Sequence, residues 1–342
     1  MTANGSRSTR GDGTGQECHH RGVHEDLIRS ARRRIRAVTA GGVLLLALTV
    51  TALVFPMALV VFAAFTVVGA PWDLGWELVV WSLGVSAVFG VLGAGAVFAW
   101  SLARSERRAL EFVRAWPIPG HETPPPPRLP KEAVRQLTNL VQGISLAAGV
   151  LPPRCAVVID EAPNCLTVGR RPASAWIVVT TGLLASLPRA ELEAVIAYEI
   201  GRVTELDVSL DTVVYACTAR VFELWGGVFD DVDEVTLLLG PLAVLAAPLV
   251  VGGVVLRAIA LRTRARLSDG LAVRYCRNPV ALAHGLRRIA EDGRDVARGD
   301  PGNAHLWLEY PHTRSSRWFL RTHRILPRRV ERIERLARLP SR

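Results

Sequence analysis

A chain of 342 residues, half of them hydrophobic, is long enough to bury a sizeable core as one membrane-framed domain or two small ones. Its formal net charge of +10 at pH 7 comes mostly from arginine, clustered at Arg32–Arg36, Arg104–Arg108 and Arg257–Arg266, each time beside an apolar run. That placement flanks membrane segments, and the lack of interleaved aromatic and basic residues argues against a nucleic-acid groove.

Residues 1–40 form a basic tail rich in Gly, Ser, Thr and Arg, read as disordered. Its Cys18-His19-His20 with His24 is set aside as a metal tract on that ground. The five cysteines, Cys18, Cys155, Cys165, Cys217 and Cys276, show no C-x-x-C spacing, and their odd count argues against a complete disulfide framework.

Two charge-free runs follow, Gly41–Ala70 and Leu78–Leu102, each longer than the ~20 residues a membrane helix needs, and they predict a transmembrane hairpin over 41–102. The link between them holds Asp73 and Glu77 beside Trp72 and Trp76, which suits an outer interface. A cleaved signal peptide is not expected, because the apolar run is too long and too far from the N-terminus. Arginines at the other ends of both runs place the N-terminus and the soluble part in the cytoplasm, so the expected location is the cell membrane, multi-pass. Residues 103–130, with Pro117, Pro119 and Pro124–Pro127, read as a Pro-rich linker.

From 131 to 340 the pattern predicts a mixed α and β domain. A helix over Lys131–Ala148 precedes strands at Cys155–Ile159, Cys165–Val168 and Trp176–Thr180, and another helix starts near Pro188. A third apolar stretch, Val235–Leu256, ends in arginines and needs a partner span, for which Val208–Phe229 is the candidate. It would carry Asp211, Arg220 and Glu223 into the membrane, so a helical hairpin resting on the surface stays open as the second reading of 208–256.

The most informative stretch is Ala197-Tyr198-Glu199-Ile200-Gly201-Arg202. It matches a His-Glu-x-x-His helix that has kept the glutamate and lost both histidines. In the intact motif two histidines at i and i+4 hold zinc while the glutamate is general base for metal-bound water. Leu192, Ile196, Glu199, Val203 and Leu206 fall on one mainly apolar stripe, so Glu199 is expected to face inward with Arg202 in reach. Against this stands the simpler reading of an intrahelical ion pair on a solvated face.

The flanks carry the comparison further. Ala156–Leu166, Thr180-Thr181-Gly182-Leu183-Leu184, Glu191–Val195, Asp207, Leu267-Ser268-Asp269, Arg277–Leu282, Thr322-His323 and Arg332–Leu336 resemble, in order and spacing, the HtpX-like and CAAX-prenyl-protease-type membrane zinc metallopeptidases. The resemblance covers roughly 131–340. It implies an α+β fold, mainly helical and zincin-like (gluzincin), with a small sheet and transmembrane helices framing it. It further implies Glu199 at the general-base position and the run holding Asn164 as part of a sheet edge that pairs with peptide. Tyr198, Arg202, Asp207, Ala265, Asp269 and His323 are expected to line the cleft or back it.

Ala265 stands where the family's third zinc ligand, a glutamate, is expected. All three ligand positions are therefore substituted, and neither a metal site nor a cofactor is expected unless the family activity, and with it zinc, is retained. His305, His312 and His323 have no recognisable ligand spacing for a rebuilt site. Two functions follow. One is a catalytically inactive pseudopeptidase of the membrane with a peptide-binding or regulatory role. The other is an active membrane metalloendopeptidase in proteolysis or membrane-protein quality control. The expected partners are the lipid bilayer and a peptide or membrane protein, without nucleic acid.

Overall fold

The computed structural model describes residues 75–118, 131–204, 208–217, 278–299 and 303–309, with scattered helical positions between 29 and 47, residue 206, and residues 330, 331 and 334. The helices that build the domain are α1 (Gly75–Phe112), α2 (Lys131–Ala148), α3 (Thr181–Ser186), α4 (Arg189–Thr204), α5 (Val208–Cys217) and α6 (Pro279–Asp292). Four strands, β1 (Trp116–Ile118), β2 (Arg154–Val158), β3 (Cys165–Val168) and β4 (Trp176–Thr180), form one sheet in the order β1-β2-β4-β3. The mostly helical architecture with a small sheet agrees with the expected α+β class.

Both faces of the sheet are covered, which is why its strands read as nearly unbroken apolar runs. Alternation sends Cys155, Val157, Cys165, Ile177 and Val179 into a core shared with α2, α4 and α6. The other face, Ala156, Val158, Leu166, Val168 and Val178, packs on Ala109 and Val113 of α1 and on Leu306 and Trp307. β2 runs parallel to β4 and β3 antiparallel to it, so β4 is inserted between two strands that precede it in the chain.

Residues 103–118 depart from the expected linker. α1 continues to Phe112, and after a turn through Arg114, whose φ of 51° is left-handed, Trp116–Ile118 pairs with β2 as an edge strand. An edge tolerates Pro117, which has no N–H to donate. The helix continues because its last turns have a surface to bury: Ser101, Ser105, Ala109 and Val113, four apart, are all buried, and Ser101 Oγ donates to the Ala216 carbonyl at 2.7 Å. Glu106 accepts from the Arg170 backbone N–H and from Ser174 Oγ, fastening α1 to the β3–β4 connection. β2 also begins and ends one residue earlier than expected, leaving Ile159 exposed.

Leu83–Phe112 is long and apolar enough to cross a membrane, and among the described residues no other helix is. Only 22% of its apolar window is buried, unlike a core helix. The framing by further spans lies outside the described residues: most of 41–70, and 218–256. α5 is described, and its side chains are buried or half-buried within the protein.

The turn between β2 and β3 is tied to the start of α3. Thr180 Oγ1 donates to the Ala162 carbonyl at 2.7 Å and accepts from the N–H groups of Asn164 and Leu183, capping α3. Gly182 donates its N–H to the Asp160 carbonyl at 2.8 Å, so close that a Cβ would stand 2.1 Å from the Glu161 carbonyl oxygen. Gly182→Ala is therefore expected to destabilise the chain by about 1–3 kcal/mol in a denaturant titration, since the clash is with backbone. Burial on the α2 side of the sheet pushes the Cys155 thiol up to about 12. Native alkylation at pH 8 followed by peptide mapping should leave Cys155 unmodified. A thiol held neutral by the fold contributes stability fully below its unfolded value near 9 and loses it as pH rises towards 12.

Candidate functional site

α4 is buried from Glu191 to Val203 on nearly every side, with α2 and α6 packed against it. A helix so enclosed must satisfy any polar side chain within the protein. Glu199 and Arg202 are both 0% exposed. Arg202 Nη1 donates to Glu199 Oε2 at 2.6 Å, and Nη2 donates to Asp211 Oδ2 at 2.5 Å. Thr167 Oγ1, from β3, donates to the same Glu199 oxygen at 2.6 Å. The guanidinium thus forks between two carboxylates from successive helices, a use of its fixed planar donors that lysine cannot reproduce.

The inward stripe holds for Leu192, Ile196, Glu199 and Val203, but α4 stops at Thr204. Leu206 lies past its end with φ of 61°, donating its N–H to the Val203 carbonyl. That left-handed residue turns the chain so that α5 comes back with Asp211 against Arg202. Thr212 Oγ1, next in sequence, accepts from the Gly169 N–H at 2.9 Å and fixes α5 to the end of β3.

The geometry decides between the two readings of the Glu199–Arg202 pair: it is an internal network. The sequence alone presents Asp211 only as a charge carried into a membrane span, and it carries no signal for Thr167 at the site. Position 211 is nine residues past Arg202, beyond helical spacing, so no periodicity links the two. Thr167 is one polar residue in an apolar strand, and its inward face follows from the alternation once β3 is placed.

Tyr198 is fully buried in the apolar core of α2, α4 and α6. Asn164 sits at the start of β3, where its side chain is used within the chain. Its Nδ2 donates to the Glu309 carbonyl at 2.8 Å and its Oδ1 accepts from the Glu309 N–H at 3.1 Å. Beside it the Leu308 N–H reaches the Cys165 carbonyl at 2.7 Å, and Leu166 stands opposite Trp307 in an antiparallel bridge. The edge expected to receive peptide is thus lined by the chain's own 307–309. His305 of the same segment places Nε2 3.0 Å from the Asp211 carbonyl. Asp207, Ala265, Asp269 and His323 lie outside the described residues, as does His312.

A zinc ion does not fit the residues present. The positions of the two histidine ligands hold a buried phenol and a buried guanidinium, neither of which is a usual zinc donor. Glu199 Oε1 is buried without a hydrogen-bond partner, which a cation would suit, yet its twin Oε2 already carries a fixed positive group at 2.6 Å. Among the described residues, no three His, Cys, Asp or Glu side chains gather into a group able to hold a metal.

The profile described as Peptidase family M48 matches residues 132–337. A protein named Protease HtpX homolog from Caldanaerobacter subterraneus is 30% identical over 216 residues, covering 58% of this chain and 71% of the relative. Its namesake from Pyrococcus abyssi is 31% identical over 219 residues, covering 60% and 75%. Another from Tropheryma whipplei is 31% identical over 218 residues, covering 59% and 71%.

Proposed function

Because the chain belongs to peptidase family M48, among its HtpX-like members, we propose that it is a membrane-held metallopeptidase fold from which hydrolysis has been lost and in which a binding or regulatory role remains. One observation carries this reading: Arg202, at a zinc-ligand position, lies wholly buried between Glu199 and Asp211. A general base must reach the proton it removes, whereas the Glu199 oxygen that carries bonds is held by an arginine and a threonine. The guanidinium supplies the positive charge a metal would bring, without an exchangeable site for water. The arginine-flanked apolar segments favour a multi-pass protein with its soluble part in the cytoplasm. The partner is a peptide or membrane protein.

The competing reading, an active membrane metalloendopeptidase, is favoured by the family match and by the word protease in the relatives' names. Elemental mass spectrometry of the detergent-purified chain, with casein hydrolysis beside it, separates the two. The expected result is zinc well below one per chain and no hydrolysis that Glu199→Gln abolishes. About one zinc per chain with Glu199-dependent cleavage would overturn the proposal.

A further inference from the structure

The connection from α2 to β2, Leu146-Ala147-Ala148-Gly149-Val150-Leu151-Pro152-Pro153, contains no polar side chain. Connections that run over a surface in water are ordinarily rich in polar and turn-forming residues. Leu146 is 83% and Leu151 70% exposed, and Ala147 and Pro152 are exposed beside them. The loop is held in shape. Gly149, with φ of 68°, ends α2 in a left-handed turn, its N–H donates to the Leu146 carbonyl, and the Val150 N–H reaches back to the Ser145 carbonyl at 3.0 Å. Two prolines then stiffen the entry into β2. Large apolar side chains fixed outward in this way mark a contact surface.

The register of the sheet shows which way the loop points. Arg154, the first residue of β2, stands opposite Trp176, which in turn stands opposite Val168. At that end of the sheet Glu106 of α1 holds the Arg170 N–H. Further along α1 the Phe112 carbonyl accepts from Arg298, next to Ala297, whose N–H donates to Asp160 beyond the other end of β2. α1 therefore runs along the sheet from the Arg154 end to the Asp160 end, packing Ala109 and Val113 on it. Its apolar turns N-terminal to Glu106 project past the Arg154 end. α5 leaves in the same direction, from Thr212 at the Gly169 N–H to Ala216 at Ser101. Leu146–Pro153 lies at this same end, on the opposite face of the sheet from α1. Leu102 stands roughly 6 Å beyond Glu106 along the helix, and the chain from Arg154 back to Leu151 reaches up to about 10 Å.

We propose that Leu146, Leu151 and Pro152 form a second membrane contact, in which the tip of the domain rests in the headgroup–acyl boundary of the same bilayer that α1 enters. Arg154, whose guanidinium carbon lies 5.4 Å from the Trp176 ring centroid, and Arg171 are exposed at that end of the sheet and suit a layer of anionic headgroups. The position of the loop, at the end from which the apolar span projects, favours lipid over a protein partner. The inference requires only that the apolar turns of α1 lie in a bilayer, and it does not depend on the loss of hydrolysis. Two membrane contacts, one on each face of the sheet, fix the tilt of the domain against the bilayer.

The test is photocrosslinking from p-benzoylphenylalanine placed at single positions of the full chain, reconstituted in vesicles of phosphatidylglycerol and phosphatidylcholine and read by mass spectrometry. Positions 146 and 151 should give lipid adducts about fivefold more often than position 159. Ile159 is 53% exposed at the opposite end of the sheet, so it reports crosslinking of an apolar surface away from the bilayer. All three side chains are exposed, and replacing them leaves the core intact. Lipid adducts no more frequent at 146 and 151 than at 159, or adducts to protein there in place of lipid, would overturn the proposal. Position 89, where Phe89 is exposed on the apolar side of α1, tests the premise separately: absence of lipid adducts there would show that α1 is not embedded and would remove the proposal with it.

Discussion

Arg202→Ala is expected to lower the unfolding free energy of the detergent-purified chain by about 3–5 kcal/mol, because it strands two buried carboxylates without their cation. A denaturant titration with unchanged slope reads the effect directly. Arg202→Lys should fall between wild type and Arg202→Ala, since one ammonium group cannot fork to both acids. A variant that neutralises the whole network, Arg202→Met with Glu199→Gln and Asp211→Asn, should recover much of the loss, as apolar or neutral replacements of buried ion pairs often do. A loss below about 1 kcal/mol in Arg202→Ala would mean that the network contributes no more than a surface pair.

The second large effect is gain of metal. Tyr198→His, Arg202→His and Ala265→Glu together restore the three donors that the family resemblance expects, and zinc sites with a full ligand set bind with on the order of 10–16 kcal/mol in small peptides. The structure adds a fourth requirement. Removing Arg202 takes the guanidinium away from the Asp211 carboxylate, whose side chain is 2% exposed, so the triple variant should be unstable or take up metal poorly. Adding Asp211→Asn should raise zinc from well below one to about one per chain, with hydrolysis that Glu199→Gln abolishes. Equal zinc content with and without Asp211→Asn would show that Asp211 had not adapted to Arg202.

The sequence carried much of the fold because local signals agreed there. Lys131–Ala148, Cys165–Val168 and Trp176–Thr180 match α2, β3 and β4, each bounded by glycine, proline or a polar turn. The stretch 103–118 reads as a spacer from its proline content, because the buried ladder Ser101, Ser105, Ala109, Val113 consists mostly of small residues that raise no hydrophobic signal. At the site, Glu199 and Arg202 were legible because a known motif places them one helical turn apart. Asp211 was not, since its meeting with Arg202 depends on the left-handed turn at Leu206, and bulky apolar residues rarely signal such a conformation. His305, considered only as a metal ligand, instead joins a backbone carbonyl in the same network.

The bonds between Asn164 and Glu309 join residues 145 positions apart. During synthesis the outer side of β3 therefore lacks this native partner until residues 307–309 have left the ribosome. A strand left bare for that long can pair with other chains, and contacts so distant in sequence form slowly. The order of assembly follows: β2, β3 and β4 can associate with α4 early, while completion of the sheet waits for residues 307–309, making products truncated before them prone to self-association.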